Sequence, residues 1–387
     1  MKFGRIFLIV LDSVGIGGAI DASKYGDDGS NTLLHVLKKT SVDLPYLKGM
    51  GLYNLVGESN NFTNAYYGRV SEISNGKDTL TGHLEMMGIK TEITLKTFTE
   101  TGFPKELIAE LEAKTGRKVI GNINASGTEI IERLGEEHIK TGSIIVYTSA
   151  DSVLQIAAHE SVIPINELYR ICKIAREITL KDEWKVGRVI ARPFTGKPNE
   201  FVRTANRHDY ALDPSGKTIL DNLKEANLDV ISIGKISDIF NEHGITSINK
   251  TKDNLDGINK IKEYIEKDFH GLCFANLNDF DSKFGHRRDA NGYADALKEF
   301  DNNLDSIMSL LKFNDLLIIT ADHGNDPTYN GTDHTRENVP LIVYSKLFVD
   351  PKFLGVLNSF ADIGATIADN FDVNQTDIGV SFLGKIK

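Results

Sequence analysis

Three short apolar runs, each ending abruptly in acids or imidazoles, constrain this chain more than any other feature. They are Ile6-Phe7-Leu8-Ile9-Val10-Leu11, Leu272-Cys273-Phe274-Ala275 and Leu316-Leu317-Ile318-Ile319. Each reads as a buried strand of a parallel sheet, because such strands are covered on both faces and lose the apolar/polar alternation. Asp12 follows the first run. The second leads into Asp279-Phe280-Asp281-Ser282-Lys283-Phe284-Gly285-His286-Arg287-Arg288-Asp289. The third leads into Thr320-Ala321-Asp322-His323-Gly324-Asn325-Asp326, with Gly331-Thr332-Asp333-His334-Thr335 shortly beyond. Open α/β sheets gather ligands in the crevice past the carboxyl ends of their strands. Asp12, Asp281, His286, Asp322, His323 and His334 are therefore expected to converge on one metal site.

Carboxylate oxygens mixed with imidazole nitrogens suit divalent manganese, zinc or iron. The set is too rich in nitrogen for calcium and lacks the thiolates of a structural zinc site. Six donors exceed what one ion usually takes from protein, so two ions are expected. Paired ions about 4 Å apart clamp the attacking and leaving oxygens of phosphoryl transfer. One Asp-His pair after a strand is most often a cap or a solvated turn; three clusters at three strand ends are harder to dismiss.

A fourth stretch, Asn75 to Gly88, begins polar and glycine-rich and turns helical from about Thr81. Thr79 then lies near a helix N-terminus, where unpaired N–H groups and the helix dipole favour an anion. A threonine hydroxyl is barely acidic and needs a metal or a base to act as a nucleophile. His83 fits a structural role as well as a catalytic one. The Gly15-x-Gly17 fragment is a weak dinucleotide match, since the third glycine and the directly following helix are missing.

The core pattern is interrupted. From about Thr94 to Asp213 the texture is that of a separate α+β segment. It has helices over Pro104–Lys114, after Ser126 and over Asn166–Thr179, strands at 143–147 and 187–193, and a polar loop holding Arg203, Arg207 and His208. Residues 95–213 are read as a cap inserted between core segments 1–94 and 214–387. Arg188, Arg192, Arg203 and Arg207 crowd into it, and are read either as a solvated basic face or as an anion site. In the returning core, Ser359-Phe360-Ala361-Asp362 resembles a capping box.

Composition narrows the partners. A net charge of −10 argues against a nucleic-acid surface, and two cysteines in apolar surroundings suggest no disulfide framework. No stretch nears the roughly 20 apolar residues that span a bilayer, and Asp12 breaks the N-terminal apolar run before a signal-peptide core can form. The expectation is a cytoplasmic protein with neither membrane nor nucleic acid as partner; the oligomeric state is left open.

Taken together, Asp12, Lys77-Asp78-Thr79-Leu80-Thr81-Gly82-His83, the 279–289 cluster, Asp322-His323-Gly324-Asn325-Asp326 and Thr332-Asp333-His334-Thr335 resemble the alkaline phosphatase superfamily. Within it they look like the prokaryotic phosphopentomutase family, and the likeness extends into the insertion through 147–152, 187–194 and 206–210. Leu84 departs from it, standing where many relatives carry an aromatic residue. The resemblance implies an α/β fold, with a mostly parallel sheet flanked by helices and an inserted α+β cap. It also implies a two-metal enzyme, with manganese as the expected ion, that interconverts pentose 1- and 5-phosphates. Thr79 would bear the phosphoryl group. Asp281, His286 and His334 would hold one ion, and Asp12, Asp322 and His323 the other. Ser149, Asp151, Arg188 and Lys235 would contact the pentose phosphate, and a sugar bisphosphate would act as activator. Three alternatives stay open: a cofactor-independent phosphoglycerate mutase, which places a serine where Thr79 stands; a plain phosphatase or phosphodiesterase; and a metal-stabilised binding module.

Overall fold

The structure, a computed structural model, describes residues 2–58, 63–149 and 152–386. The chain packs as two compact units, Met1–Glu92 with Pro214–Lys387, and Ile93–Asp213.

The first unit is built on an eight-stranded sheet. Its order is Ser247–Asn249, Asp229–Ile233, Gly271–Leu277, Arg5–Leu11, Asp315–Thr320, Val339–Tyr344, Tyr66–Val70 and Phe353–Leu357. Only Val339–Tyr344 runs against the rest, pairing antiparallel on both sides. The three apolar runs are neighbours in the middle of this sheet, wholly buried and parallel. Register sets where they end. Leu11 pairs with Leu277 and Val10 with Thr320, so Asp12 leaves the sheet level with Asn278 and Asp322. Helices Asn254–Glu266 and Ala290–Leu310 bury Ile258, Ile261, Ile265, Tyr293, Leu297, Phe300, Leu304 and Ile307 in the same core, with the spacing of a helix face.

Two local expectations need correction. The second strand runs on to Leu277, past the polar Asn276, because full burial there is matched by side-chain hydrogen bonding rather than by apolar character. No capping box opens the helix Ala361–Phe371. The Ser359 hydroxyl donates to Glu85 Oε1 at 2.9 Å, while the Asp362 carboxylate accepts from the Val380 N–H at 2.7 Å.

The second unit holds a six-stranded sheet. Its path is Val119–Asn124, Ile144–Thr148, Val153–His159, Arg188–Thr195 and Val202–Arg203, with His208–Ala211 also paired to Arg188–Thr195. The stretch expected to be a polar loop thus supplies two short edge strands. Their polar side chains hide the extended backbone from a pattern-based reading, and it is the ladder to Arg188–Thr195 that holds them. One sheet face packs Val146, Leu154, Ile156, Val189 and Ala191 with Leu107, Leu111, Leu168 and Ile171. The other packs Ile145, Ala157 and Phe194 under Ile130 and Ile131 of the helix Gly127–Thr141.

Candidate metal centre

The strand ends deliver two three-donor clusters. Asp281, His286 and His334 form one, and Asp12, Asp322 and His323 the other; within each, the donor atoms lie within 4.8 Å of one another. The His323 and His334 rings, 4.2 Å apart between centroids, bring the clusters side by side.

Local backbone explains how short loops reach this geometry. Asp281 sits on a π-helical turn, Phe280–Gly285, and His286 caps its C-terminus, its N–H donating to the Asp281 carbonyl at 3.2 Å. In an α-helix five residues make about 1.4 turns and point such side chains apart. The wider turn lets His286 Nε2 stand 3.2 Å from Asp281 Oδ2. Its Nδ1 faces the Thr332 carbonyl at 2.7 Å, as His323 Nδ1 faces the Gly324 carbonyl at 3.0 Å. Both imidazoles thereby offer Nε2 to the site. Ser13, after Asp12, adopts φ 74°, a left-handed conformation unusual for serine, and that turn aims its N–H at Asp322 Oδ1, 3.0 Å away.

Thr79 is the first residue of the helix Thr79–Met86, whose N-cap Asp78 accepts from the Thr81 N–H. Its Oγ1 lies 3.1 Å from His323 Nε2. The helix comes this near because residue 82 is glycine: a Cβ there would collide with the Asp322 carbonyl oxygen. His83 is fully buried; its Nδ1 sits 2.9 Å from the Thr79 carbonyl and 3.2 Å from Asp322 Oδ2. That tie to the first helical turn makes it a positioning residue.

Several polar partners escaped sequence reasoning. Asn276 and Asn278 both donate to Asp12 Oδ2, at 2.9 and 3.0 Å, and Asn325 donates to Asp281 Oδ1 at 2.7 Å. Arg288 holds Asn325 in turn, Nη1 to Oδ1 2.6 Å. His35, given no role from sequence, pairs with Asp326 at 2.5 Å. The available signal was Asn276-x-Asn278 breaking an otherwise apolar strand.

The electrostatics require positive charge. Burial, followed by the Asp322 and Asp281 carboxylates, pushes Asp12 up to about 6. Burial alone would lower His323, but Asp322, Asp12 and Asp281 outweigh it and bring it up to about 9. Burial would raise Asp281 too, yet its facing imidazoles, His334 foremost, hold it well below the usual carboxylate range. Asp12 Oδ1, Asp322 Oδ2 and His334 Nε2 are buried with no hydrogen-bond partner among the described residues. Unsatisfied buried carboxylate oxygens are costly unless a cation meets them, so this donor set fits divalent metal.

Of the expected substrate contacts, Lys235 follows the strand Asp229–Ile233, and its charge acts on Asp12. With Asn276, Asn278, Lys250 and Lys283 it lines a cavity of about 260 Å³. Ser149 and Arg188 belong to the second unit; Ser149 Oγ is 3.5 Å from Gln155 Nε2, and Arg188 Nη1 is 3.7 Å from Asp209 Oδ2. Asp151 lies outside the described residues.

A mostly parallel α/β sheet with two clusters of hard and borderline metal donors at its carboxyl edge defines a divalent-metal protein. The chain belongs to the Metalloenzyme superfamily, whose sequence model matches residues 4–375. Among solved structures, it is similar to the PH0037 protein of Pyrococcus horikoshii, at 14% identity and TM-score 0.51 over 98% of this chain and 100% of that one. It is also similar to a phosphoglycerate mutase of Leishmania mexicana determined at low cobalt concentration, at 11% identity and TM-score 0.50 over 98% of this chain and 97% of the other. At such identities the likeness is one of fold. No helix among the described residues is long and apolar enough to cross a membrane.

Proposed function

We propose that the chain is a phosphopentomutase, a divalent-metal enzyme interconverting α-D-ribose 1-phosphate and ribose 5-phosphate, and the 2-deoxyribose forms. The observation that carries this reading is Thr79 Oγ1 on the first turn of a helix, 3.1 Å from His323 and beside both donor clusters. When bound, two ions, manganese by this reading, held by Asp281, His286 and His334 and by Asp12, Asp322 and His323, would supply Lewis acidity and positive charge at the transferring phosphoryl group.

The chain's own groups do the rest. Thr79 carries the phosphoryl group, and the unpaired N–H groups of the first turn offset its charge. A hydroxyl of the incoming pentose monophosphate takes that group. The O–P bond at Thr79 breaks as the O–P bond to the sugar forms, and the sugar's proton ends on the freed threonine oxygen. The resulting bisphosphate turns and returns its other phosphoryl group to Thr79, leaving the isomeric monophosphate. A sugar bisphosphate therefore also primes unphosphorylated enzyme. On this reading Ser149, Asp151, Arg188 and Lys235 are the residues that contact the sugar phosphate, and exclusion of water would keep the intermediate from hydrolysis.

The test is turnover of manganese-loaded protein on ribose 5-phosphate, 3-phosphoglycerate and p-nitrophenyl phosphate. Rapid formation of ribose 1-phosphate, with little reaction of the other two, is expected. Faster isomerisation of 3-phosphoglycerate, or hydrolysis without isomerisation, overturns the pentose assignment.

A further inference from the structure

One arginine outside the donor clusters spends its side chain on the segment that leads to Thr79. Arg336 stands two residues after His334, in the stretch before the strand Val339–Tyr344, and is only 2% exposed. Its guanidinium meets three backbone carbonyls of one loop. Nη2 donates to Glu72 at 2.7 Å, and Nη1 donates to Ser74 at 3.0 Å and Gly76 at 2.7 Å. Nη1 also donates to the Glu72 carboxylate, while Nε and Nη2 form a fork on the Asp21 carboxylate, each bond 3.0 Å. Every N–H of the group thus has an acceptor. Cζ lies 5.1 Å from the centroid of the Tyr25 ring, whose hydroxyl accepts the Gly76 N–H at 3.1 Å. The backbone reaches the same loop: the Arg336 N–H donates to Asp27 Oδ2 at 2.8 Å, and Asp27 pairs with Lys77 Nζ at 3.0 Å.

The helix that starts at Thr79 holds this loop from its other side. Glu85, in the last turn of Thr79–Met86, is fully buried and accepts the N–H groups of Ile73 at 3.1 Å and Ser74 at 2.6 Å. Loop carbonyls therefore go to Arg336 and loop N–H groups to Glu85. The loop has little apolar anchoring of its own, since Ile73 is 39% exposed. His334, by contrast, has a separate anchor: Thr335 and Gly324 exchange backbone hydrogen bonds of 2.8 and 3.1 Å. Loss of the guanidinium should therefore fall on the Thr79 side of the site and spare the metal donors.

We propose that Arg336 is a positioning residue for phosphoryl transfer, holding the 72–76 loop so that Thr79 Oγ1 keeps its place against the donor clusters. It acts through the loop and the Glu85 helix rather than on substrate. The proposal rests on Thr79 as the phosphoryl carrier, not on pentose as the substrate. Lysine cannot stand in, because one ammonium cannot span acceptors on Asp21 and on three successive carbonyls.

The experiment compares manganese-loaded full-length wild type, Arg336→Lys and Asp21→Asn. Misplacing a reacting group by about 1 Å costs about 100-fold, so Arg336→Lys should slow discharge of Thr79 phosphate to ribose 5-phosphate by about that factor. KM and manganese affinity should stay within about threefold of wild type, since neither substrate contacts nor metal donors are touched. Amide exchange followed by mass spectrometry should quicken at least tenfold over residues 72–81 and stay unchanged elsewhere. Asp21→Asn, which weakens only the far side of the fork, should lower kcat severalfold at unchanged KM. Wild-type discharge by Arg336→Lys overturns the proposal. So does manganese affinity that falls in step with discharge, or exchange that quickens throughout the chain, since either makes Arg336 a support of the fold alone. If Arg336→Lys misfolds, Asp21→Asn decides, and wild-type kcat there overturns the proposal. If the wild type never carries phosphate on Thr79, the phosphothreonine reading fails instead. The exchange measurement then decides the positioning claim: quickening confined to 72–81 upholds it, and unchanged exchange overturns it.

Discussion

Stripping metal from the protein should make its stability fall as pH rises, and the buried site gives the size of the effect. His323 is fully buried and, facing three carboxylates, is brought from 6.5 up to about 9. A group raised on folding stabilises the native state fully below its unfolded value, and that stabilisation is lost as pH climbs through the folded value. About 2.5 pK units at 1.36 kcal/mol each give on the order of 3 kcal/mol, lost between about pH 6.5 and 9. Asp12, raised to about 6, changes stability in the same direction at lower pH, from about 4 to 6. Asp281 and Asp322 are depressed and oppose this only in stronger acid, where they lose charge. At about 2–4 °C per kcal/mol, the chelated protein should melt about 6–12 °C lower at pH 9 than at pH 6.5. Added manganese should restore more stability at the alkaline end, because ligating imidazole must first lose its proton. Differential scanning calorimetry at matched ionic strength, with chelator and with metal, measures both curves. A chelated protein equally stable at the two pH values would refute the coupling of His323 to the carboxylates.

Other substitutions test separate parts of the account. Asn278→Ala, which removes one of two donors to Asp12 Oδ2, should weaken metal affinity about 10–100-fold by calorimetric titration while leaving the fold intact; unchanged affinity would mean that Asn276 suffices. Gly82→Ala forces the helix carrying Thr79 off the Asp322 backbone, so turnover should fall at least about 100-fold, with a smaller loss of metal affinity; wild-type turnover would show that the close approach is dispensable. Arg188→Ala should raise the fraction of Thr79 phosphate lost to water relative to that passed to sugar, read from labelled phosphate in a single turnover. Equal loss of both routes would remove Arg188 from the control of the intermediate.

How much of this could be read from the sequence varies with the physics of each element. Parallel strands buried on both faces read as unbroken apolar runs, so the three central strands and the acids beyond them stood out. The N-terminal placement of Thr79 was readable from its polar, glycine-rich lead, although the helix starts two residues before the expected Thr81, at Thr79, because Asp78 caps it. Edge strands Val202–Arg203 and His208–Ala211 were hidden, since their polar residues carry no periodicity and backbone pairing alone makes them strands. The π-helical turn at Phe280–Gly285 was equally hidden, having no local pattern to separate it from a loop. Asn276 and Asn278 stayed silent because an asparagine's partner is set by tertiary register: Leu11 pairing with Leu277 brings both beside Asp12.

The most direct measurement follows one phosphoryl group. Intact-mass spectrometry of the protein primed with a sugar bisphosphate should find a single phosphate, mapped to Thr79 by fragmentation. Mixing that species with unlabelled ribose 5-phosphate should discharge Thr79 within one turnover and place its phosphate on the sugar. Thr79→Ala should take up no phosphate and lose mutase activity by several orders of magnitude, since alanine has no oxygen to hold the group. Substantial mutase turnover by Thr79→Ala, or a wild-type enzyme that cycles without ever carrying phosphate at Thr79, would contradict the account at its centre.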